Sequence, residues 1–596
     1  MLLLVMAFSG SSQNQKIIFD EQTSQKHGAT IISERSESVT IKFNLNELDL
    51  HEVNTQNGAA YTISSTNAAN VLQKGYPDLF YLAQSIIIPN KGSVEIESIT
   101  GNYEEFNDIE VAPSKGNLKR NVDPNQVPFE KGKIYQVNEF YPKDLANLRE
   151  PFILRDFRGQ SIQVNPVQYN PVTKTLRVYK DLTINVKYTD GNGVNELTGG
   201  KTASSIETEF AHVYSSMFLN FNNEKYTVIG EDGELLIICY DDFVDTMQPF
   251  VNWKRTIGRN TTIVPVSEVG STSAAIKDYI QDYYDDPDNN LTHVLLVGDA
   301  PQIPTNSISN GDSDNYYGYL EGTDSYSEII IGRFSAETVA HVETQVQRMI
   351  EYERDMTEED TWLNVGMGVA RNEGSGGGHN GGEADYEHMD FIRDTLLNYT
   401  YVEVHKEYDG DVPGETNTTP SEISTGINDG VSVINYCNHG LVTGWSVAGY
   451  SSSHVDQLTN TGKLPYIWAV ACVNGDFVTN TCFAETWLRA THNGEPSGAI
   501  GTMMSTINQD WQPPMTGQDE MVGILSESFE DNIKRTFGGL SINGSMKMLD
   551  LHGESGIQTH DTWTLFGDPT LLVRTDTPQQ MNVSHNPTMF LGSDTF

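Results

Sequence analysis

The feature that most constrains this chain is a change in hydrophobic pattern near residue 226. Beyond it, runs that are apolar throughout, such as ELLIICY, THVLLVGD and YIWAVAC, alternate with segments of helical spacing. A strand that is apolar on both faces must be covered on both, and the helices that connect parallel strands supply that cover. We therefore predict an α/β domain with mostly parallel sheets, with a first subdomain over 226–372 and a second over 373–577.

The part before residue 226 has a different pattern. Short runs such as SVTIKFNL, SVEIESIT and LTINVKY alternate apolar with polar residues and are separated by Gly, Pro, Asn and Asp. This pattern is typical of an all-β sandwich, which we predict over 13–225. Residues 1–12 are mainly apolar and predict the remnant of a secretory signal peptide. Residues 578–596 predict the start of a truncated Ig-like β-sandwich domain.

Charge and cysteine content exclude several classes of function. Asp and Glu outnumber Lys and Arg by 81 to 37, the net charge is −44, and no basic block is present to bind nucleic acid or an anionic membrane. No apolar stretch approaches the roughly 18 residues of a membrane-spanning helix. Four cysteines are too few for a disulfide framework. We expect a core-stabilised protein whose surface attracts cations and basic peptides.

Two predicted strands end in residues that carry chemistry. VSVINY runs into Cys437-Asn438-His439-Gly440, and YIWAVA runs into Cys472. Parallel strands place ligands beyond their carboxyl ends, and a thiol beside an imidazole ionises near neutral pH. Backbone N–H groups of Gly440 and Cys472 would then form an oxyanion hole. On the residues alone, a turn histidine and a buried structural cysteine remain an equal alternative, with Cys437 as the rival thiol.

Longer motifs favour the catalytic interpretation. The segments ACVNGDF, TINQDWQPPMTGQDEM and DTWTLFGDPTLLVRT resemble the gingipain family of cysteine endopeptidases, and VAPSKG and PFILRDFRGQ resemble its propeptide. The resemblance implies a caspase-like architecture of two α/β subdomains behind an inhibitory propeptide. It also implies that Cys472 is the nucleophile, His439 its general base and Glu373 the carboxylate that orients the imidazole. No cofactor is implied for catalysis.

The resemblance also suggests which residues would bind the substrate side chain that precedes the cut bond (the S1 pocket). A pocket for a basic side chain needs a carboxylate. Asp385 matches the position of the acid in arginine-specific members, and Asp510 matches its position in the lysine-specific member. Trp511 and Met515 would line the aliphatic stem of the bound side chain. Protein and peptide substrates with Lys or Arg before the cut are therefore expected.

Two basic sites in the N-terminal part complete this picture. The junction Lys225-Tyr226 matches the family's processing site, and a self-maturing precursor must accept the residue before its own cut. Together with Asp510 this predicts lysine first, with arginine also accepted. Lys119-Arg120 matches the propeptide loop that plugs the pocket. Structural calcium is implied by the family, with acidic loops at Tyr284–Asn290 and Ser309–Gly318, but no ligand set follows.

Two other hydrolase classes and a non-proteolytic role are the alternatives to this function. A metallohydrolase would use the crowded set His379, Asp385, Glu387 and His388, but the segment lacks an H-E-x-x-H pair. No G-x-S-x-G motif supports a serine hydrolase. A non-proteolytic secreted adhesin or secretion-system component that kept a peptidase-like domain is the alternative. The expected location is outside a bacterium or on its surface, reached by Bacteroidota-like export.

Overall fold

The structure is a computed structural model that describes residues 15–19, 28–198, 205–222, 227–229, 233–309, 311–374, 379–528, 536–582 and 584. The signal-peptide remnant, the Lys225-Tyr226 junction and most of the predicted Ig-like start lie outside these ranges. In the described part, no helix is long and apolar enough to cross a bilayer.

The N-terminal part consists of antiparallel sheets, as its alternating pattern predicts. Three sheets have the orders β1-β4-β5, β10-β11-β7-β6 with β9 on β11, and β12-β13-β3-β2 with β8 on β13. Their strands are β1 (Gln15–Ile18), β2 (Gly28–Arg35), β3 (Ser38–Asn44), β4 (Glu47–Thr55), β5 (Gly58–Ser64), β6 (Ala69–Asn70), β7 (Phe80–Ile87), β8 (Ser93–Phe106), β9 (Ala146–Leu148), β10 (Phe152–Leu154), β11 (Phe157–Val164), β12 (Val167–Asn170) and β13 (Thr175–Thr189). Alternate residues of β3 and β13 meet in one core, which confirms the all-β prediction.

A short connecting region follows β13. It contains β14 (Ser205–Glu207), helix α1 (Thr208–Met217) and β15 (Thr227–Ile229). Strands β14 and β15 pair in parallel, on either side of the predicted processing junction.

The remainder of the chain builds one ten-stranded sheet with the order β17-β16-β18-β21-β31-β30-β27-β24-β22-β23. Every pair in it is parallel except β30 with β31. Its strands are β16 (Glu234–Cys239), β17 (Thr261–Pro265), β18 (Leu291–Val297), β21 (Ile330–Phe334), β22 (Val365–Arg371), β23 (Glu403–Asp409), β24 (Val433–Cys437), β27 (Tyr466–Val470), β30 (Gly501–Ser505) and β31 (Trp563–Phe566). The mostly parallel α/β prediction is confirmed.

Helices cover both faces of this sheet, and short two-stranded hairpins lie in the connections between its strands. The helices are α2 (Val244–Thr256), α3 (Val266–Val269), α4 (Ser273–Asp285), α5 (Val339–Arg354), α6 (Asp385–Leu397), α7 (Pro420–Asp429), α8 (Ser452–Val455), α9 (Phe483–Arg489), α10 (Gln512–Leu525), α11 (Phe537–His552) and α12 (Glu554–Thr562). The hairpin strands are β19 (Asn306–Ile308), β20 (Gly311–Ser313), β25 (Gly440–Leu441), β26 (Gly444–Trp445), β28 (Thr491–His492) and β29 (Glu495–Pro496). Two large apolar clusters fill the space between the helices and the sheet.

The sheet divides the catalytic region slightly earlier than the sequence predicts. Strand β22 pairs with β23 and β24, so it belongs to the second half, and the division falls between α5 and β22 rather than at 372/373. The reason is that β22 runs directly into Glu373. In the sequence prediction the second subdomain begins at Glu373, whereas hydrogen bonding assigns β22, the strand before Glu373, to that subdomain as well.

The N-terminal sheets dock on the second half through polar contacts with the end of α11. Arg149 donates to the carbonyls of Leu549 and Leu551 at 3.1 and 3.0 Å, and Ser85 donates to Asp550 at 2.6 Å. A guanidinium that satisfies carbonyls left free at a helix end is favourable in both hydrogen bonding and dipole interaction. These contacts fix the orientation of the N-terminal part over the site described next.

Candidate active site

The site lies where two neighbouring parallel strands end. Strands β24 and β27 are paired, so His439 and Cys472, which follow them, leave the sheet at the same edge. Gly440 is required there, because a Cβ at that position would lie 2.2 Å from the Cys472 carbonyl oxygen. Burial raises the pKa of the Cys472 thiol, while hydrogen bonds from backbone groups of Gln509 and Gly440 act in the opposite direction. The Gly440 amide therefore lies against the Cys472 thiol, and His439 leaves the neighbouring strand at the same edge.

His439 and Glu373 form an ion pair beside the thiol. The distance from His439 Nε2 to Glu373 Oε1 is 3.0 Å. This hydrogen bond is the main reason that the pKa of His439 is raised, against the opposing effect of burial. Burial alone would raise the pKa of Glu373, but the hydrogen bond and charge of His439 hold it below its usual value. The two shifts favour a charged imidazole held in one orientation.

A segment of the N-terminal part lies across this cleft as an added strand. Arg120 N–H donates to the Gln509 carbonyl at 2.7 Å, and Trp511 N–H donates to the Leu118 carbonyl at 3.3 Å. Lys119 and Asp510 form the antiparallel bridge between these two bonds. A peptide held by main-chain pairing in this way occupies the position that an extended substrate would take.

The Arg120 side chain enters a closed pocket and is fully buried. Its Nη1 lies 3.2 and 3.3 Å from the two Asp385 oxygens, and its Nη2 donates to the Trp511 carbonyl at 3.3 Å. The guanidinium carbon stands 4.4 Å from the centre of the Trp511 ring. Asp385 is held from behind by Asn438 at 2.8 Å and the Cys437 thiol at 3.2 Å. Asp385 and Trp511 therefore surround a planar cation, as a pocket for arginine requires.

Asp510 has a different partner from the one expected. It binds Lys119 Nζ at 2.6 Å, and its other oxygen accepts from Asn117 at 2.8 Å and Ser555 at 2.6 Å. Asp510 contacts Lys119, whereas the Trp511 ring stacks on the Arg120 guanidinium, so the two side chains face different residues of the propeptide. The expectation that Asp510 forms the floor of the pocket beside Trp511 is therefore not met. Met515 is buried in the main core.

Sequence reasoning did not assign roles to two further residues of the cleft. Asn438 fixes Asp385, and its own amide oxygen accepts from Ser446 at 2.7 Å. The Gln509 side chain accepts the Ala471 N–H at 2.9 Å, which ties the cleft strand to the chain just before Cys472. The available signal was their position, since each directly precedes a residue already singled out.

The four residues of the metallohydrolase alternative do not converge. Asp385 faces Arg120, and Glu387 accepts the Ala384 N–H at 2.7 Å and so caps α6. His379 and His388 do approach each other, with ring centres 5.3 Å apart, but away from these two acids. The arrangement gives no support to a catalytic metal in the cleft.

The loops proposed for calcium show other uses for some of their acids. In the loop at Ser309–Gly318, both oxygens of Asp314 accept from Arg333, at 2.6 and 2.8 Å. In the loop at Tyr284–Asn290, Asp286 accepts the Asp288 N–H at 3.0 Å. Asp314 is thus already neutralised by a guanidinium, and structural calcium stays a prediction without a ligand set.

Comparison with known proteins places this site in a family. The family model "Peptidase family C25" matches residues 229–574, and the model Propeptide_C25 matches residues 21–229. The chain therefore belongs to peptidase family C25, and it has the organisation of a cysteine endopeptidase zymogen with its propeptide in the cleft. The boundary between the two matches falls within the connecting region that contains β14 and β15.

Individual relatives agree with this assignment. The chain is 40% identical over 560 residues to gingipain R1 of Porphyromonas gingivalis. The aligned region covers 93% of this chain and 55% of that protein. It is 37% identical over 600 residues to gingipain R2 of strain W83, covering all of this chain and 80% of that protein. A crystal structure of the "Arg specific cysteine proteinase gingipain R" matches with a TM-score of 0.58 at 41% identity, covering 60% of this chain and 82% of that one.

Proposed function

We propose that this chain is a latent cysteine endopeptidase that cleaves after arginine and is inhibited by its own Arg120. The observation that carries the proposal is the fully buried Arg120 side chain, paired with Asp385 and stacked on Trp511, at the residue whose backbone also contacts the catalytic imidazole. A propeptide that presents a pocket residue in this way acts as a product-like inhibitor, because it fills the site before any substrate can.

The proposed reaction follows the geometry of the cleft. Cys472 Sγ attacks the carbonyl carbon of the bound arginine residue, and His439 takes the thiol proton and passes it to the leaving amine of the next residue. Backbone N–H groups of Gly440 and Cys472 stabilise the oxyanion, and Glu373 keeps the imidazole oriented. Water, deprotonated by His439, then hydrolyses the acyl-enzyme, which returns the free thiol and a carboxylate product.

Arginine rather than lysine is favoured by the shape of the pocket. Both Asp385 oxygens and the Trp511 carbonyl receive the two terminal nitrogens of one guanidinium. A lysine ammonium is a point charge and would leave part of this set of acceptors unpaired in a buried site. The expectation of lysine first rested on Asp510 together with Lys225. Asp510 contacts Lys119 instead, and the gingipain R structure is described as Arg specific.

Latency follows from the path of the chain after Arg120. The Val122 N–H donates to the Lys119 carbonyl at 2.9 Å, so the chain turns immediately after the pocket residue. An extended substrate would instead continue across the cleft. We infer that the turn withholds the bond after Arg120 from attack by Cys472, so that the segment blocks the site without being consumed.

Cleavage after Lys225 and export remain part of the proposal. Lys225 and Tyr226 lie outside the described residues, and a cut there requires that the pocket also accept lysine. Release to the exterior or surface of a bacterium is proposed from the sequence and from relatives in Porphyromonas gingivalis.

The decisive experiment compares the full chain with its Cys472→Ala variant. Incubated with a thiol reductant, the parent chain is expected to cut itself and then hydrolyse peptides with arginine before the cut at least about tenfold faster than lysine analogues. The variant should do neither. A parent chain that stays uncut and inactive towards both peptides would favour the non-proteolytic role, and faster lysine cleavage would restore Asp510 as the specificity residue.

A further inference from the structure

Behind the arginine pocket lies a second cluster of ionisable side chains that the peptidase reaction does not use. His379 Nε2 lies 3.3 Å from Asp519 Oδ2, and His388 Nδ1 lies 3.5 Å from Asp519 Oδ1. One ligand atom from each of these three residues can be chosen so that all lie within 4.8 Å of one another. They come from the loop before α6, from α6 itself and from α10. The cluster therefore joins three elements.

The orientation of His388 is fixed from behind by Gln518. The Gln518 amide nitrogen donates to Asn435 Oδ1 at 3.0 Å and to the Trp468 carbonyl at 3.2 Å, so its oxygen must be the atom that faces His388 Nε2 at 3.2 Å. An oxygen there requires a proton on Nε2. In the neutral ring, Nδ1 then carries a lone pair that points into the cluster.

This lone pair is buried and lacks a hydrogen-bond donor. His388 is fully buried, and its Nδ1 has no hydrogen-bond partner, although Glu383 Oε1 lies 3.2 Å away and Asp519 Oδ1 3.5 Å away. Asp519 Oδ1 is likewise buried without a partner. A lone pair and carboxylate oxygens repel one another unless a cation lies between them. The cluster is thus short of positive charge at its centre.

His379 is oriented by a carboxylate in the complementary way. Its Nδ1 lies 2.7 Å from Glu383 Oε1, so an Nδ1–H donating to Glu383 leaves Nε2 free to face Asp519. Metal-binding histidines commonly donate their second ring N–H to a carboxylate or carbonyl, which fixes the tautomer. Both histidines here have such a partner, Glu383 for His379 and Gln518 for His388.

We propose that His379 Nε2, His388 Nδ1 and an Asp519 oxygen bind a divalent transition-metal ion of the zinc type. Ligands at about 2.0–2.1 Å in a tetrahedron around zinc are separated by about 3.3 Å. The two histidine nitrogens lie 3.3 and 3.5 Å from Asp519, each from a different carboxylate oxygen, and the three ligand atoms lie within 4.8 Å of one another. Two imidazoles and one carboxylate suit zinc, whereas calcium takes six to eight oxygen ligands. A cavity of about 490 Å³ lined by His379, Glu383 and Asp519 provides an entry path.

The ion would stabilise the arginine pocket without taking part in the chemistry. Helix α6 begins at Asp385, whose N–H donates to the Glu373 carbonyl at 2.8 Å, and α10 begins directly after Trp511. A metal that ties the preceding loop and α6 to α10 fixes the two sides of the pocket relative to each other. Its role is structural, and it is distinct from the Cys472–His439 chemistry.

The test measures metal binding by the full chain, in a Cys472→Ala background that prevents self-cleavage. After removal of metals with a chelator and dialysis, Zn²⁺ is titrated by calorimetry, and the bound metal is counted by elemental analysis after gel filtration. We expect one ion per chain. His379→Gln, Asp519→Asn and His388→Gln should abolish that stoichiometry, whereas the matched control His492→Gln, on the distant hairpin strand β28, should keep it.

Two further measurements distinguish a built site from adventitious binding. Glu383→Gln and Gln518→Leu, which alter only the orienting partners, should weaken Zn²⁺ binding by about 10- to 100-fold. Co²⁺ should give a visible absorption band typical of tetrahedral coordination that His379→Gln removes. His379 is partly exposed, so its variant is expected to fold even where His388→Gln does not. A folded parent chain that binds no Zn²⁺, or binds it equally in His379→Gln, overturns the proposal and leaves protons as the charges that balance the cluster.

Discussion

Two neighbouring ion pairs hold the propeptide in the cleft, and they differ in the burial and geometry of their cations. Arg120 and Asp385 are both fully buried, with planar donors facing two oxygens and an aromatic ring stacked above. Lys119 keeps 35% of its side chain exposed, although its partner Asp510 is buried. Removing one member of a buried pair costs far more than removing one of an exposed pair. We therefore expect the acid that is enclosed with its partner to determine specificity.

The largest effect is expected from Asp385→Asn in the mature enzyme. The guanidinium of a bound substrate would be buried without its counter-charge, so kcat/KM for arginine peptides should fall by about 10²- to 10³-fold. The measurement is steady-state cleavage of matched peptides with arginine, lysine or alanine before the cut. An Asp385→Asn enzyme that still preferred arginine over lysine by the parent ratio would contradict the assignment of the pocket.

Loss of latency should follow the same asymmetry. In the uncut full chain, Arg120→Ala empties the pocket, and hydrolysis of a small arginine ester is expected to rise by about 10²-fold. Lys119→Ala, the adjacent control, removes only a partly exposed ion pair and should raise it less than about tenfold. Gel analysis must show the chains uncut during the assay. Equal activation by the two variants would show that backbone pairing, rather than the Arg120 side chain, blocks the cleft.

The ion pair between His439 and Glu373 predicts a pH effect in the same cleft. The hydrogen bond to Glu373 raises the pKa of His439, so the charged imidazole persists to higher pH than in a free histidine. Its contribution to stability is therefore complete below about pH 6.5 and is lost as the pH rises through the raised value. Glu373→Gln should lower kcat/KM on the order of tenfold to 10²-fold and move the acidic limb of the pH–rate profile to lower pH, because His439 acts as a base only when its imidazole is neutral. A pH–rate limb that does not shift in Glu373→Gln would be incompatible with the orienting role of Glu373.

The smallest effect is expected at the exposed pair. Asp510→Asn in the mature enzyme should change kcat/KM for arginine peptides by less than about tenfold, and the change should be confined to peptides with lysine one residue before the arginine. Parallel assays with lysine or alanine at that preceding position measure it. If Asp510→Asn instead impaired every arginine peptide equally, the two acids would have to be reassigned.

The sequence predicted the fold class from local patterns, whereas the assignment of the catalytic residues also needed the resemblance to the gingipain family. Fully apolar runs identify buried parallel strands, and the ends of β24 and β27 place His439 and Cys472 at one edge. It could not choose between Asp385 and Asp510, because that choice depends on which side of an extended segment faces the propeptide. The pairing of 509–511 with 118–120 determines which acid each propeptide side chain meets.

The sequence also could not interpret the histidines of the glycine-rich segment. In the sequence, His379 and His388 belong to the metallohydrolase set, whose four residues do not converge. Their partners Asp519 and Gln518 come from a helix more than a hundred residues later. A cluster that is assembled from three elements leaves no spacing motif in the chain. The partners of these two histidines are visible only in the folded structure.

The parallel pairing of β14 with β15 separates the first cleavage of this precursor from the onset of its activity. These strands stand on opposite sides of the predicted junction, and β14 belongs to the propeptide while β15 precedes the peptidase domain. A single cut between them breaks no hydrogen bond of the pair, nor any contact of Arg120. We therefore expect the nicked molecule to remain a two-chain complex, so that dissociation or destruction of the cut fragment, rather than the first cleavage, sets the onset of activity.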